Sequence, residues 1–312
     1  MKKTHPFVTS LFAKLRTIEH YFQSLPQWSA QFGTAEIADD DLLTQLVKFL
    51  QTNDNPTWQW VFLATLYSTY PTTADFQRFR RRLKLLTADE LATALLGARN
   101  ALIPWPPHWG STAPALITPG LLVAVTDQPA GSPAAVPQVV ANAIPHWRAK
   151  ADLTIVAWNN EVAGFETVRR SAKSTTGWEF TGNLVVPAGG VLIIADPLLG
   201  SYENTDRLSC LARYSGVRVN HIGYDLSQIT QPEFSTEGEI NSAVAYVSVL
   251  KFSNRVAAIS DTALNEFRGL NNALRTQGLN GPELVVIPLP AASDLPNDWN
   301  EYAASTLDYF EQ

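Results

Sequence analysis

Between Leu121 and Ile287 the chain repeats one pattern: a short, mostly apolar run that breaks on a polar residue or a proline, in most cases with a helical pattern after it. The clearest runs are Leu121–Val125 (LLVAV), Leu153–Trp158 (LTIVAW), Val191–Ala195 (VLIIA), Val256–Ile259 (VAAI) and Leu284–Ile287 (LVVI). A strand that is apolar at every position is one covered on both faces. Such strands joined by helices predict an α/β fold with a Rossmann-like, open, mostly parallel sheet. In sheets of this kind ligands bind in the crevice at the carboxyl ends of the strands.

The centre of the pattern is Val217 to Glu233, VRVNHIGYDLSQITQPE. Val217, Val219 and Ile222 have strand character, and the run breaks into a polar turn with Tyr224, Asp225, Ser227 and Gln228. A helix over about 204–214, capped by Gly216, precedes it. Helical patterns at 238–252 and 262–275 flank the next strand. Asp127, Asp196, Asp225 and Ser260 follow strands, so the topology puts them on one edge. Each alone reads as a helix N-cap; together they read as the lining of a cleft, where helix N–H groups can hold phosphate or sugar oxygens. The first strand leads through Gly131 and Ser132 to a helix starting near Pro137, which Pro145 is expected to kink or end. That loop lacks G-x-G-x-x-G and a P-loop lysine, so it is either an ordinary turn or a modest phosphate contact. His221 reads as a core or edge histidine and Cys210 as a buried thiol.

Residues 1–100 read as helices. Phe7, Leu11, Leu15, Ile18 and Phe22 share one helical face. Further helices are expected after Asp39-Asp40-Asp41, from about Trp58 to Tyr67, from an N-cap at Thr73, and from the capping-box spacing of Thr87 and Glu90. Arg78, Arg80, Arg81, Arg82 and Lys84 form the one basic cluster. It is either the solvated side of an amphipathic helix or a contact for a membrane surface or an acidic protein. Residues 101–119, with five prolines and two tryptophans, are expected to be a linker between this region and the domain at 120–290.

The totals remove several classes. A net charge of −6 argues against a nucleic-acid binder. A single cysteine rules out an intrachain disulfide. No apolar run approaches the roughly 18 residues of a spanning helix, and the N-terminus lacks the pattern of a leader. The cytoplasm is the expected compartment, with a peripheral membrane contact left open by the basic cluster.

Four stretches, in order, resemble the N-terminal half of a family 4 glycosyltransferase with the GT-B fold. They are LLVAVTDQ with AAVPQVVANAIPHW, then HIGYDLSQITQPE, then RVAAISDTALNEFRGL, then NALRTQGLNGPELVVIPLP. The chain departs from the family at Ala135–Val140, which lacks the usual glycine and arginine, and at Tyr224, where many relatives carry histidine. The resemblance implies the acceptor-binding half of a retaining enzyme that uses a nucleotide sugar as substrate, with no obligatory metal and no other cofactor. The acceptor is expected to be a saccharide or a lipid-linked saccharide. Asp127, Gly131, Ser132, Tyr224, Asp225 and Ser260 are expected to line the cleft, with Tyr224 and Asp225 orienting acceptor hydroxyls. The family's second, nucleotide-sugar-binding domain does not fit into residues 291–312, read as a linker or tail helix. The chain is therefore expected to be part of a larger enzyme. Two alternatives remain: a noncatalytic partner or binding module, and a different Rossmann-like enzyme acting on a small phosphorylated ligand.

Overall fold

The computed structural model describes residues 6–33, 36–96, 115–125, 135–171, 178–195, 202–290 and 296–312. The N-terminal region contributes α1 (Pro6–Gln23), α2 (Pro26–Phe32), α3 (Asp39–Thr52), α4 (Pro56–Tyr67), α5 (Thr73–Leu85) and α6 (Ala88–Leu96). Helix α2 is the one the sequence did not show; seven residues are too few to display a period. Its Trp28 sits among Phe22, Phe32 and Phe49, with ring centroids 4.6–6.0 Å away. The N-cap of α5 is Thr72 rather than Thr73, because its side chain accepts from the Asp75 N–H. Thr87 and Glu90 form the expected reciprocal box, at 2.9 and 3.3 Å. Helix α4 is apolar on all sides, and every residue from Gln59 to Tyr67 is buried. It is sandwiched between other helices and the sheet.

The rest of the chain runs β1 (Leu116–Thr118), β2 (Leu121–Val125), α7 (Ala135–Lys150), β3 (Leu153–Asn159), β4 (Gly164–Arg170), β5 (Trp178–Pro187), β6 (Val191–Ile194) and α8 (Tyr202–Tyr214). Then follow β7 (Arg218–Gly223), α9 (Ser227–Thr230), α10 (Glu237–Leu250), β8 (Arg255–Ala258), α11 (Asp261–Thr276), β9 (Glu283–Val286) and α12 (Pro296–Glu311). The strands form one Rossmann-like sheet in the order β1-β5-β4-β3-β2-β6-β7-β8-β9. Among the described residues only the β3–β4 and β4–β5 pairings are antiparallel. The chain goes from β2 to β3 on one side and returns to β6 on the other, so the strand order reverses between β2 and β6.

Leu116–Thr118, which the sequence placed at the end of a linker, is a strand. It pairs with the last residues of β5, and both strands turn a corner together. The offset between partners is 69 before the corner (Leu116↔Val185) and 70 after it (Leu121↔Val191), so one extra residue sits in the second strand. Gly190 makes this fit. Its φ is +75°, and a Cβ there would lie 1.9 Å from the Pro119 carbonyl oxygen.

Side chains of β2 alternate between two cores, as the strand period requires. Leu122 and Ala124 join the N-terminal helices, Phe165, Val185 and Val219 on one face. Leu121, Val123 and Val125 join Val139, Trp147, Trp299 and Phe310 of α7 and α12 on the other. The core of residues 6–96 is thus continuous with one face of the sheet. Tyr70 fastens the two: its hydroxyl donates to the Val185 carbonyl at 2.6 Å, and its carbonyl accepts from Arg207 of α8. Asp206 on the same helix accepts from the Thr73 N–H at 2.8 Å. Pro145 does not end α7. It is exposed, and the helix continues to Lys150 because Ile144 and Trp147 bury their side chains. Trp147 also donates to Ala303 and Thr306 of α12, at 3.0 and 3.1 Å.

Candidate functional site

The carboxyl edge of the sheet is built on a shared rung. Gly223 of β7 pairs with Ala258 of β8, and the Ile259 N–H donates to the Gly223 carbonyl at 3.0 Å. Asp225 and Ser260 each lie two residues past that rung, so the register sets them on adjacent strand ends. Gly223 permits this packing, since a Cβ there would stand 2.5 Å from Val256 and 2.6 Å from Phe267.

Asp225 is exposed, and its Oδ1 accepts from the Ser227 N–H (3.1 Å) and hydroxyl (2.7 Å). This local turn starts α9. Ser260 caps α11 by accepting from the Ala263 N–H at 3.2 Å. The first-turn N–H groups of α11 lie at the same edge. Tyr224 behaves differently. It is 8% exposed and packs into the core shared with α12, and its hydroxyl donates to the Ala195 carbonyl at 2.7 Å. Its proton therefore ties the end of β7 to the end of β6. Asp127, Gly131 and Ser132, together with Asp196, lie outside the described residues.

Two contributors were not found from sequence. Glu266 of α11 accepts from the Leu226 N–H at 2.5 Å and lies 3.5 Å from the Thr230 hydroxyl, which fixes α9 against α11. Asn204, at the start of α8, donates to Asn160 at 2.8 Å across the edge. Spacing could not reveal either, because each partner comes from a different element.

His221 lies behind the edge and is fully buried. Its Nε2 meets the Ser253 hydroxyl at 2.8 Å, its ring packs edge-on against Tyr246, and its Nδ1 has no partner. Burial pushes its pKa down to about 3, so it is a neutral core residue at physiological pH. Cys210 is buried as expected, and burial raises its thiol pKa. In the basic cluster, Asp54 pairs with Arg80 (2.9 Å) and Lys84 (3.5 Å), and Asp75 with Arg78 (3.4 Å). The hydrogen bond from Arg80 holds the Asp54 carboxyl down to about 2. Among the described residues, no group of three or more His, Cys, Asp or Glu stands ready to hold a metal ion. No helix among them is long and apolar enough to cross a membrane.

No protein-family model matches the sequence, and no curated protein matches it. Any functional reading therefore rests on the carboxyl edge and on the four stretches of motif.

Proposed function

We propose that this chain is the acceptor-side half of a retaining GT-B glycosyltransferase of family 4, binding a saccharide or lipid-linked saccharide acceptor at the carboxyl edge of its sheet. The observation that carries this reading is the placement of Asp225 and Ser260 beside each other on adjacent strand ends, at the N-terminus of α11. An exposed carboxylate is an acceptor for sugar hydroxyls. Helix N–H groups beside it suit phosphate or sugar oxygens. In this reading Asp225 positions the acceptor, Ser260 and the first turn of α11 face the donor, and Tyr224 holds the strand ends in register. Catalysis then consists largely of bringing donor and acceptor together across a cleft. The donor's diphosphate is stabilised mainly by a nucleotide-sugar-binding domain outside residues 1–312. The Arg78–Lys84 cluster would serve as a peripheral contact at most, since acidic neighbours already pair Arg78, Arg80 and Lys84.

Calorimetric titration with short saccharides and with nucleotide sugars tests the proposal. Saccharide binding that Asp225→Asn weakens about tenfold supports it, that being the loss of one charge-assisted hydrogen bond. Tight nucleotide-sugar binding by this chain alone would contradict the assignment of halves.

A second reading, a noncatalytic binding module, is favoured by one observation. The Tyr224 proton is committed to Ala195, and Asp225 already accepts from Ser227. Transfer activity on supplying a donor-binding partner would exclude it.

A further inference from the structure

The C-terminal half of α11 and the loop that leads into β9 are the two walls of a cavity of about 600 Å3. A volume of this size is that of a small-ligand site. The cavity lies at the amino edge of the sheet. Arg275 in its lining is about 22 Å along α11 from Ser260, at the rise of an α-helix, so the cavity is separate from the carboxyl edge. Its walls are latched together. Asn271 is 7% exposed, and its side-chain amide donates to the Pro282 carbonyl at 2.8 Å. Gly281 has φ +69°, and a Cβ there would lie 2.2 Å from Asn271 Oδ1, so this close approach requires glycine.

Two cations line the cavity. Arg268 and Arg275 are exposed and seven residues apart, which puts them on one helix face about 10 Å from each other along the axis. Their postures repeat. Each donates through Nη1 to the asparagine three residues earlier, Arg268 to Asn265 at 3.1 Å and Arg275 to Asn272 at 3.4 Å. The spacing of the backbone therefore carries over to the guanidinium groups. Both amide acceptors are neutral, so they leave the two positive charges in place, and each guanidinium has further N–H groups to offer. The one carboxylate in the lining, Glu283, is held by Arg255 at 2.9 Å. Acidic side chains outside the described set are those of Asp127, Asp196, Glu203 and Asp294, and each is within four residues of described chain at the opposite, carboxyl edge. Arg275 sits in the last turn, where a cation offsets the helix dipole. Arg268 is two turns earlier, beyond the reach of that effect.

We infer that this cavity binds a small ligand with two anionic groups about 10 Å apart, one on each guanidinium. A guanidinium fork matches phosphate and carboxylate alike, so the class covers a sugar phosphorylated at both ends and a linear dicarboxylate. In the posture that the two arginines share, a single phosphate engages one guanidinium and leaves the other, so the second charge is what the pair selects.

The test is calorimetric titration of the full chain at low ionic strength with a hexose phosphorylated at both ends, octanedioate, a hexose monophosphate and inorganic phosphate. At least one of the two dianions should bind at a single site, about tenfold tighter than the monophosphates, and added salt should weaken it. Arg268→Gln and Arg275→Gln should each remove the preference for two charges. Both positions are exposed, and thermal melts matching the parent show that the variants fold. Binding of the bisphosphate alone assigns the site to sugar phosphates, and of octanedioate alone to dicarboxylates; either keeps the inference. No dianion binding, equal affinity for one charge and two, or a preference that survives both substitutions overturns it.

Discussion

One face of the sheet is covered in two ways. Under the N-terminal helices it is sealed: α4 buries nine consecutive residues, and Tyr70 and Arg207 bolt helix to strand. Under α10 and α11 it is left partly open, with Val244 exposed and, among the described residues, nothing within 4 Å of a Cβ placed at Gly269. The same strand chemistry supports both ends, so the difference lies in the helices. A helix apolar on every side must be enclosed, whereas α10 and α11 bury one face and leave apolar residues on another. The sealed end buries its helices completely, and the open end leaves apolar side chains at the surface.

Substitutions at the two ends should separate them. Phe62→Ala in α4 removes a fully buried ring stacked on Phe79 and should cost about 3–5 kcal/mol in guanidinium unfolding. Val244→Ser on α10 should change stability by no more than about 0.5 kcal/mol. Equal losses would erase the contrast.

Acid unfolding gives the next largest effect. His221 is neutral in the folded state, with its pKa lowered to about 3 from the ordinary 6.5. Between those values the unfolded chain binds a proton that the folded chain does not, so stability rises with pH there and falls as pH drops below 6.5. The slope should approach about 1.4 kcal/mol per pH unit. His221→Phe should flatten this part of the stability profile, and an unchanged slope would place the proton elsewhere.

Two glycines should respond with opposite signs. Gly190→Ala forces a Cβ onto the Pro119 carbonyl at the strand corner and should cost at least about 1–3 kcal/mol. Gly269→Ala meets nothing and should stabilise by about 0.4–1 kcal/mol. Thermal melts of the pair measure both. The smallest effect is expected at the surface: Asp54→Asn breaks exposed pairs with Arg80 and Lys84 and should cost within about 1 kcal/mol, less at high salt.

Much of the fold was legible because several of its strands are wholly apolar, and a run such as Leu121–Val125 has few other uses. The tail at 291–312, read as a linker or a tail helix, is helical over Pro296–Glu311, and its packing against α7 was not visible. What was hidden depended on distant partners. Leu116–Thr118 looks like linker until it meets the end of β5, and Pro145 looks like a helix end until Trp147 is buried beyond it. Val244 fits a helical stripe, yet the buried face of α10 is Ala243, Tyr246, Val249 and Leu250. In the site, Asp225 and Ser260 could be placed on one edge from strand order alone. The commitment of the Tyr224 hydroxyl to Ala195 could not, because the acceptor is a backbone carbonyl on another strand. Glu266 was invisible because the N–H it accepts from belongs to Leu226, in a different element.

The most direct test of the account is amide hydrogen exchange with and without a saccharide acceptor. Slowed exchange confined to the segments around Asp225–Thr230 and Ser260–Thr262, and reduced in Asp225→Asn, is the predicted result. Binding that leaves those amides unchanged, or protects only the N-terminal helices, would contradict a site at the carboxyl edge.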